Sequence, residues 1–312
     1  MTSEDTQYAH QPVMLEEVLD MWFSQSEGFY VDGTFGRGGH SRALLARLGD
    51  SGRLTGIDRD PQAIAAGQEL AASDSRFHMV ANRFDCLPEV VEQAGRPIDG
   101  LLLDLGVSSP QLDDAARGFS FLRDGPLDMR MDPTQGESVA QWLARAAEKD
   151  IANVLYRYGE ERKSRWIAKR ICETRKEQPI TRTLQLANLI ESVLGRNEKG
   201  KHPATRSFQA LRIHINGELD ALDQVLEQSL ETLAIGGRLA IISFHSLEDR
   251  IVKLFIRDHS GRAPKGRGGL PLGDEMPQRL EPVGKALHAS KAELKVNVRS
   301  RSAVLRVAEK VA

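Results

Sequence analysis

A glycine-rich turn near the N-terminus constrains the fold of this 312-residue chain more than any other segment. The apolar run Gly28-Phe-Tyr-Val leads into Asp32-Gly-Thr-Phe-Gly-Arg-Gly-Gly-His40, and the helical pattern of residues 41–48 follows. Glycine lets a backbone turn tightly, and the first turn of a helix presents unpaired N–H groups at the positive end of its dipole. This order of strand, loop and helix predicts a cradle for a nucleotide-like small molecule, with a plain turn as the alternative.

A second predicted strand, residues 53–58, ends in a carboxylate. Asp58 follows the glycine loop by about 20 residues, where dinucleotide-type folds place the acid that accepts hydrogen bonds from ribose hydroxyls. Asp60 precedes Pro61 and is expected to cap the helix that starts there. A solvated turn residue is the alternative interpretation of Asp58.

Strands and helices alternate through the first part of the chain. Strands are predicted at 29–34, 53–58, 77–81 and 98–104, and helices at 41–48, 61–71 and 85–94. This alternation is typical of an α/β fold with a doubly wound, mostly parallel sheet. The strand at 98–104 is almost entirely apolar before Asp104, as buried parallel strands are.

A helical insertion is predicted after this fourth strand. Residues 105–133 are irregular and rich in Gly, Pro, Asp and Ser, which favours a functional loop over a simple linker. Helices are then predicted at 137–148, 150–157, 160–177 and 182–194, and Trp166, Ile167 and Ile171 are expected to pack while the interleaved basic residues face solvent. The resulting domains are a core of residues 1–112 and 216–312 and an inserted helical substrate-recognition domain of residues 113–215.

The sheet is expected to resume after the insertion. Apolar residues from Phe208 to Leu233 recur at helical spacing, which predicts one long helix that ends at Gly236-Gly237. A strand is predicted at 238–246, and a final strand at 302–308.

Charge is unevenly distributed along the chain. Residues 1–114 carry a net charge of −11, residues 115–215 carry +7 and residues 216–312 carry +2. An acidic part joined to a basic part suggests that the basic part meets a polyanion, although a solvated helical surface is the alternative. The chain has two distant cysteines, no apolar run long enough for a membrane span and an acidic N-terminus. These features predict a cytoplasmic protein without a disulfide, structural metal or membrane partner.

The sequence of the glycine loop distinguishes between two classes of ligand, dinucleotides and S-adenosylmethionine. The dinucleotide fingerprint is G-x-G-x-x-G, but this chain has Ser41 where the third glycine belongs. The chain instead has Asp32 at the end of the first strand and then a G-x-G-G loop. This pattern is typical of S-adenosylmethionine-dependent methyltransferases. A nucleotide-dependent oxidoreductase is the rival enzyme.

Seven sequence blocks carry a closer resemblance. They are Asp32-Gly-Thr-Phe-Gly-Arg-Gly-Gly-His40, Asp58-Arg-Asp-Pro-Gln62, Leu103-Asp-Leu-Gly-Val-Ser-Ser-Pro-Gln111, Gly118-Phe-Ser-Phe121, Pro126-Leu-Asp-Met-Arg-Met131, His202-Pro-Ala-Thr-Arg-Ser-Phe-Gln-Ala-Leu-Arg212 and Ser243-Phe-His-Ser-Leu-Glu-Asp-Arg250. Over almost the whole chain, these blocks resemble the bacterial small-subunit (16S) ribosomal RNA (cytosine-N4)-methyltransferase family. The resemblance implies a Rossmann-like core with a helical insertion. It also implies transfer of a methyl group from S-adenosyl-L-methionine to one cytidine near the ribosomal P site. A non-catalytic ribosome-assembly factor is the rival from another class.

The resemblance also implies which residues form the cofactor site. They are Gly38, Gly39, His40, Asp58, Phe84, Asp104 and Gln111. The backbone N–H of His40 could matter more than its ring, and Phe84 could simply belong to the core. The residues do not decide whether the substrate is free RNA or an assembled small subunit, and they leave a homodimer open.

Asp104 is the catalytic candidate. The cytosine N4 lone pair is delocalised into the ring, so an acceptor for its N–H hydrogens would make the nitrogen a better nucleophile. Amino methyltransferases that act on DNA commonly carry (D/N/S)-P-P-(Y/F) here, with an aromatic ring that stacks on the base. This chain has Asp104-Leu-Gly-Val, so the base would be held elsewhere, by the Gly106–Phe121 loop or by Phe244-His245. His245 is expected to be structural rather than a substrate contact.

RNA binding is assigned to the basic insertion. Phosphate contacts are predicted for Arg165, Lys169, Arg170, Lys201, His202 and Arg206. Such contacts supply affinity more than specificity. The target cytidine must be single-stranded or flipped out, because a stacked base cannot reach the methyl group.

Overall fold

The computed structural model describes residues 12–195, 202–261 and 277–312, which form two compact units. The first unit combines the chain up to Gly106 with the chain from Ala221 onward, and the second unit is Val107–Asp220. None of the helices in these described ranges is both long enough and apolar enough to cross a membrane.

The N-terminal part of the first unit alternates helices and strands, as predicted. Its elements are α1 (Leu15–Trp22), β1 (Phe29–Asp32), α2 (Gly39–Leu45), β2 (Arg53–Asp58), α3 (Pro61–Ser73), β3 (Phe77–Ala81), α4 (Leu87–Ala94) and β4 (Ile98–Asp104). The predicted cap of α3 is confirmed, because Asp60 Oδ1 accepts a hydrogen bond from Gln62 N at 2.9 Å and Pro61 opens the helix.

The second unit is helical. It contains α5 (Ser109–Asp113), α6 (Val139–Arg145), α7 (Glu148–Gly159), α8 (Ser164–Glu177), α9 (Thr183–Leu194) and α10 (Thr205–Asn216). One apolar cluster of its own holds these helices together, and it includes Leu143, Ile151, Ile167, Ile190 and Leu211, all nearly inaccessible to solvent.

The chain then completes the sheet of the first unit. The remaining elements are α11 (Glu218–Thr232), β5 (Leu233–Ser243), α12 (Ser246–Asp258), β6 (Leu280–Pro282), β7 (Leu287–His288), α13 (Glu293–Val296) and β8 (Val304–Lys310). The strand order is β3-β2-β1-β4-β5-β8-β6, with β7 also paired to β8.

The pairing confirms the predicted fold class. Strands β1 to β5 are parallel, whereas β8 runs antiparallel to β5. The order 3-2-1-4-5 reverses direction at β1, which is where doubly wound sheets bind ligands at the carboxyl ends of their strands. The central strands are buried on both faces, since Leu101 and Leu103 pack into one apolar cluster while Leu102 packs into another.

Three local predictions are wrong. The long helix expected from Phe208 to Leu233 breaks at Gly217, whose left-handed φ of 60° ends α10. The second part, α11, ends at Thr232, so Gly236-Gly237 lie within β5 rather than at a helix end. Finally, Trp166 does not pack with Ile167 and Ile171, because 69% of its surface is exposed while theirs is fully buried.

Candidate active site

Carboxylates lie at the carboxyl ends of three adjacent strands in the first unit. Asp32 ends β1, Asp58 ends β2 and Asp104 ends β4. Because β1 pairs in parallel with both β2 and β4, these ends meet at one edge of the sheet. The glycine loop leaves the sheet at the same edge, so the structure brings together the motifs that the sequence placed far apart.

The structure requires glycine at the loop positions for different physical reasons. Gly36 and Gly38 have left-handed φ values of 57° and 74°. A Cβ on Gly38 would lie 2.5 Å from the Phe35 ring, and a Cβ on Gly39 would lie 2.3 Å from Pro12 Cγ. At these two positions packing within the chain therefore demands glycine. Gly36 is the open position, since only Thr34 O, at 3.9 Å, would lie near its Cβ.

Hydrogen bonds tie this loop to the strands on both sides of β1. Gly33 N donates to Leu102 O at 2.8 Å, and Phe35 N donates to Ile57 O at 3.0 Å. Asp104 N donates to the Thr34 side-chain oxygen at 2.6 Å. The loop is therefore fixed in shape before any ligand arrives.

Asp32 is buried beneath the loop. Its Oδ2 accepts a hydrogen bond from Ser41 Oγ at 2.7 Å, and its Oδ1 accepts one from Thr34 N at 3.2 Å. Burial raises the pKa of Asp32 to about 6, although the Ser41 and Thr34 hydrogen bonds act in the opposite direction. Ser41, which departs from the dinucleotide fingerprint, is thus the partner of the acid at the end of β1.

Asp58 joins the loop to the start of α3. Its Oδ2 accepts from Gly36 N at 2.8 Å and its Oδ1 accepts from Asp60 N at 2.9 Å. Burial raises its pKa above the usual value for an aspartate. A carboxylate has about four acceptor positions, so these bonds leave capacity for hydroxyl donors.

Asp104 faces the ring of His40. Asp104 Oδ2 lies 3.9 Å from His40 Nδ1, which is too long for a hydrogen bond. Burial lowers the pKa of His40 to about 4, so the ring is neutral, and its Nε2–H donates to Val13 O at 3.0 Å. Burial, followed by the charges of Asp32 and Glu248, raises the pKa of Asp104 to about 8.

Glu248 is a buried acid that sequence reasoning did not select. Its Oε2 accepts from Phe244 N at 2.8 Å and from His245 N at 3.2 Å, just after β5 ends. His245 Nδ1 accepts from Glu248 N at 3.4 Å, so this histidine caps α12, which agrees with its predicted structural role. The capping spacing of His245 and Glu248 was the available signal, because residues three apart at a helix start bond reciprocally.

Polar atoms at the ends of β4 and β5 lack hydrogen-bond partners among the described residues. They are Asp104 Oδ1 and Ser243 Oγ, whereas His245 Nε2 lies 3.0 Å from Glu248 Oε1. Asp104 pairs with Ile242, directly before Ser243, in the parallel β4–β5 register. Buried polar atoms are almost always hydrogen-bonded, so unmatched ones at a strand end are typical of a ligand site.

Two further predicted cofactor residues lie in different units. Phe84 begins a short 3-10 helix after β3, and its Cβ lies against Gly33 at the end of β1. Gln111 belongs to the helical unit, where its Oε1 accepts from Ser108 N at 2.9 Å and caps α5. Neither contact tests cofactor binding, which stays a prediction for both.

The predicted RNA contacts all belong to the helical unit. Arg165, Lys169 and Arg170 are exposed on α8, and Arg206 is exposed on α10. The His202 ring stacks at a tilt on the Phe121 ring, with centroids 4.7 Å apart. Lys201 lies outside the described residues.

The aromatic residues proposed to hold the base are differently placed. Phe119 is buried in the core of the helical unit, and Phe121 packs there against Phe208 with centroids 4.7 Å apart. Phe244 is partly buried beside Gly106 in the first unit. Phe244 is therefore the candidate that shares a unit with Asp104.

A Rossmann-like sheet, an acid-ended β1 tied to Ser41 and a G-x-G-G loop define an S-adenosylmethionine-dependent methyltransferase. The family comparison agrees: residues 7–311 match the model of the MraW methylase family, and the chain belongs to that family. The predicted family, enzyme class and cofactor are thereby confirmed.

Individual relatives resemble the chain over its full length. A protein of Alcanivorax borkumensis named ribosomal RNA small subunit methyltransferase H is 94% identical over all of both chains. Its namesake in Shewanella amazonensis is 57% identical over 97% of this chain and 98% of its own. A solved rRNA methylase from Streptococcus thermophilus covers 95% of this chain and 93% of its own at 13% identity, with a TM-score of 0.41.

Proposed function

We propose that this protein methylates the exocyclic N4 amine of one cytidine in the decoding or P-site region of small-subunit ribosomal RNA. The names of the relatives at 94% and 57% identity support this substrate class. The choice of the amine is supported by one observation above the others: Asp104 Oδ1 is a buried acceptor without a partner among the described residues.

The loop and the strand ends suit the methyl donor. We assign the backbone of Gly38, Gly39 and His40 to its amino-acid part and Asp58 to its ribose hydroxyls. Phe84 would lie along the adenine and Asp104 would complete the site, while a cofactor contact of Gln111 stays a prediction from the family resemblance. S-adenosylmethionine supplies a methyl group on a positively charged sulfonium, so no metal or covalent nucleophile is required of the protein.

Asp104 would act on the amine rather than on the methyl group. A carboxylate that accepts one N4–H bond draws the nitrogen toward pyramidal geometry and can take the proton that must leave. Fixed placement of the amine would supply much of the remaining rate enhancement. The protonated acid cannot accept in this way, so the ionised form is the active one.

The fraction of Asp104 that is ionised depends on its surroundings near neutral pH. Its pKa of about 8 means that most of the free protein carries a neutral Asp104 near pH 7. A positive charge bound nearby favours the ionised form of a carboxylate. Cofactor binding would therefore convert Asp104 to the accepting form at neutral pH.

The helical unit would bind the RNA backbone. Arg165, Lys169 and Arg170 are exposed on one helix, and Arg206 is exposed on another. With His202 and Lys201 they would contact phosphates, which contribute affinity that depends on salt. The substrate would be small-subunit RNA, either free or in an assembled subunit.

Mass mapping of methylated nucleotides tests the function directly. Small-subunit RNA from cells with and without the protein should differ by methylation of one cytidine at N4. Unmethylated subunits incubated with purified protein and cofactor should regain it. An identical methylation map in both cell types, together with no transfer in vitro, would refute the proposal.

The Asp104→Asn variant tests the catalytic assignment. It should bind cofactor and lose on the order of 10²-fold or more in turnover, which is the usual contribution of a general base. Full turnover with retained cofactor binding would remove Asp104 from the mechanism and leave the substrate assignment intact.

A further inference from the structure

An exposed tryptophan lies on the solvent face of α8, near the start of the helix. Trp166 exposes 69% of its surface, whereas Ser164, Ile167, Ala168, Ile171 and Cys172 bury the opposite face of the helix. Of the three tryptophans, Trp22 is fully buried and Trp142 is 8% exposed. Trp166 thus contributes almost nothing to the core of the helical unit, and its exposed ring needs another explanation.

Basic residues lie close to this ring in the sequence. Lys169 and Arg170 follow Trp166 by three and four residues on α8, and Arg162 and Lys163 belong to the turn directly before the helix. Side chains at these spacings are neighbours on a helix surface. Glu173 is the acidic neighbour, with an oxygen 3.9 Å from Lys169 Nζ and another 3.9 Å from Arg170 Nη1. These weak, exposed contacts leave the cations accessible to a stronger anionic partner.

A second exposed aromatic residue lies at the same end of this helix pair. Tyr156 exposes 65% of its surface near the end of α7, and Trp166 lies near the start of α8, which packs against α7. The segment from Tyr156 to Arg170 carries six basic and two acidic residues. Two exposed rings in one basic segment match the composition of sites that bind single-stranded nucleic acids.

We propose that Trp166 is a stacking platform for an unpaired base of the RNA substrate, with Lys163, Lys169 and Arg170 on the adjacent phosphates. This inference rests on the proposed function, because it supplies a residue that recognises the same RNA. Positive charge alone would suit any polyanion, but an exposed aromatic ring on the same helix face as Lys169 and Arg170 suits a base next to its own phosphates. Tryptophan and arginine are also enriched in protein interfaces, so binding of a protein partner is one of the outcomes that the test must separate.

Stacking and charge contacts respond differently to salt, and the test uses that difference. Binding of a protein-free small-subunit RNA fragment is measured by fluorescence anisotropy at several salt concentrations. Trp166→Ala should weaken binding on the order of tenfold without changing the salt slope, whereas Trp166→Phe should retain most of the affinity. Lys169→Gln with Arg170→Gln should reduce the slope by about 1.4, or about 0.7 for each lost phosphate contact.

Leu184→Ala provides the matched control. Leu184 is 38% exposed on α9 of the same unit, so its removal deletes an exposed apolar side chain without a predicted base contact. This variant should bind RNA like the wild type. A loss equal to that of Trp166→Ala would overturn the stacking assignment.

The wild-type protein gives a second readout that needs no variant. Single-stranded RNA should shield the accessible tryptophan emission from acrylamide, whereas a duplex of the same sequence should shield it far less, because its bases are already stacked. Equal affinity of Trp166→Ala for protein-free RNA, or no shielding, would overturn the proposal. So would a defect confined to assembled subunits, which would indicate a protein partner. If the wild type methylates the RNA in either case, the proposed function stands and only this inference fails.

Discussion

Ser41 Oγ lies 2.7 Å from Asp32 Oδ2, and this buried hydrogen bond links the first turn of α2 to the end of β1. The donor stands where a dinucleotide-binding loop would have its third glycine. Position 41 is the one that distinguishes this loop from the dinucleotide fingerprint. Here its serine side chain stabilises Asp32, the acid beneath the loop.

Replacement of Ser41 by alanine should destabilise the protein most at alkaline pH. The loss should be about 1–3 kcal/mol in the free energy of unfolding at pH 8, because a buried carboxylate loses its donor. At pH 5 Asp32 is largely protonated, since its pKa is about 6, and the loss should be smaller. Urea unfolding at both pH values measures the difference.

Ser73→Ala is the control for this prediction. Ser73 Oγ donates to Leu70 O at 2.9 Å within α3, so no carboxylate depends on it. Its effect should be small and independent of pH. An equal loss for Ser41→Ala at both pH values would contradict the role assigned to Asp32.

Turnover should rise with pH as Asp104 ionises. The pKa of Asp104 is about 8 in the free protein, and the bound cofactor should bring the midpoint of the kcat profile below that value. A kcat profile from pH 5.5 to 9 should show one rising limb, which Asp104→Asn should flatten at a low level. A wild-type profile without a rising limb in this range would contradict the assignment.

Asp104→Asn should also make the free protein more stable at high pH. An acid whose pKa rises on folding binds its proton more tightly in the folded state, so its penalty appears above the ordinary pKa of 3.8 and is complete only above about 8. The melting temperature of Asp104→Asn should therefore exceed that of the wild type at pH 8.5. The two proteins should be closer at pH 5, and a gain of the same size at both pH values would argue against this cause.

Gly38→Ala should cost more stability than Gly95→Ala. Both glycines have left-handed backbone, with φ values of 74° and 64°, so each substitution should cost about 1–2 kcal/mol in strain. A Cβ at Gly95 meets nothing within 4 Å, whereas one at Gly38 meets the Phe35 ring at 2.5 Å. The clash should add about 1–3 kcal/mol, measured by urea unfolding, and displace the loop enough to weaken cofactor binding. Equal losses would mean that Phe35 moves aside freely.

Asn216→Ala should loosen one loop of the helical unit. Asn216 Oδ1 accepts from Met131 N at 2.9 Å, and its Nδ2 donates to Met129 O at 2.7 Å. Met129 has a left-handed φ of 63°, so this loop depends on the contacts that hold it. Each unmatched group should cost about 1–3 kcal/mol. Hydrogen exchange should speed up at Met131 and remain unchanged at Ile171, whereas unchanged exchange at both would contradict the role of Asn216.

The sequence by itself determined the fold class and the principal motifs of the site. Alternating strands and helices, a buried fourth strand and acids at strand ends depend on local periodicity and on turn residues, which a single sequence displays directly. The positions of Asp32, Asp58 and Asp104 at one edge follow from the parallel order of the strands. The substrate class came from the blocks shared with the family, because no local pattern encodes it.

Only the tertiary structure decided which side chains meet and which stay exposed. Periodicity favours an apolar residue in the core, but Trp166 lies opposite the buried face of α8 and remains exposed. The burial of Glu248 and the break at Gly217 were likewise not predicted from the sequence. The raised pKa of Asp104 arises from burial and from Asp32 and Glu248, which are remote in sequence. Burial and long-range charge depend on neighbours that folding alone brings together, so they cannot be obtained from spacing along the chain.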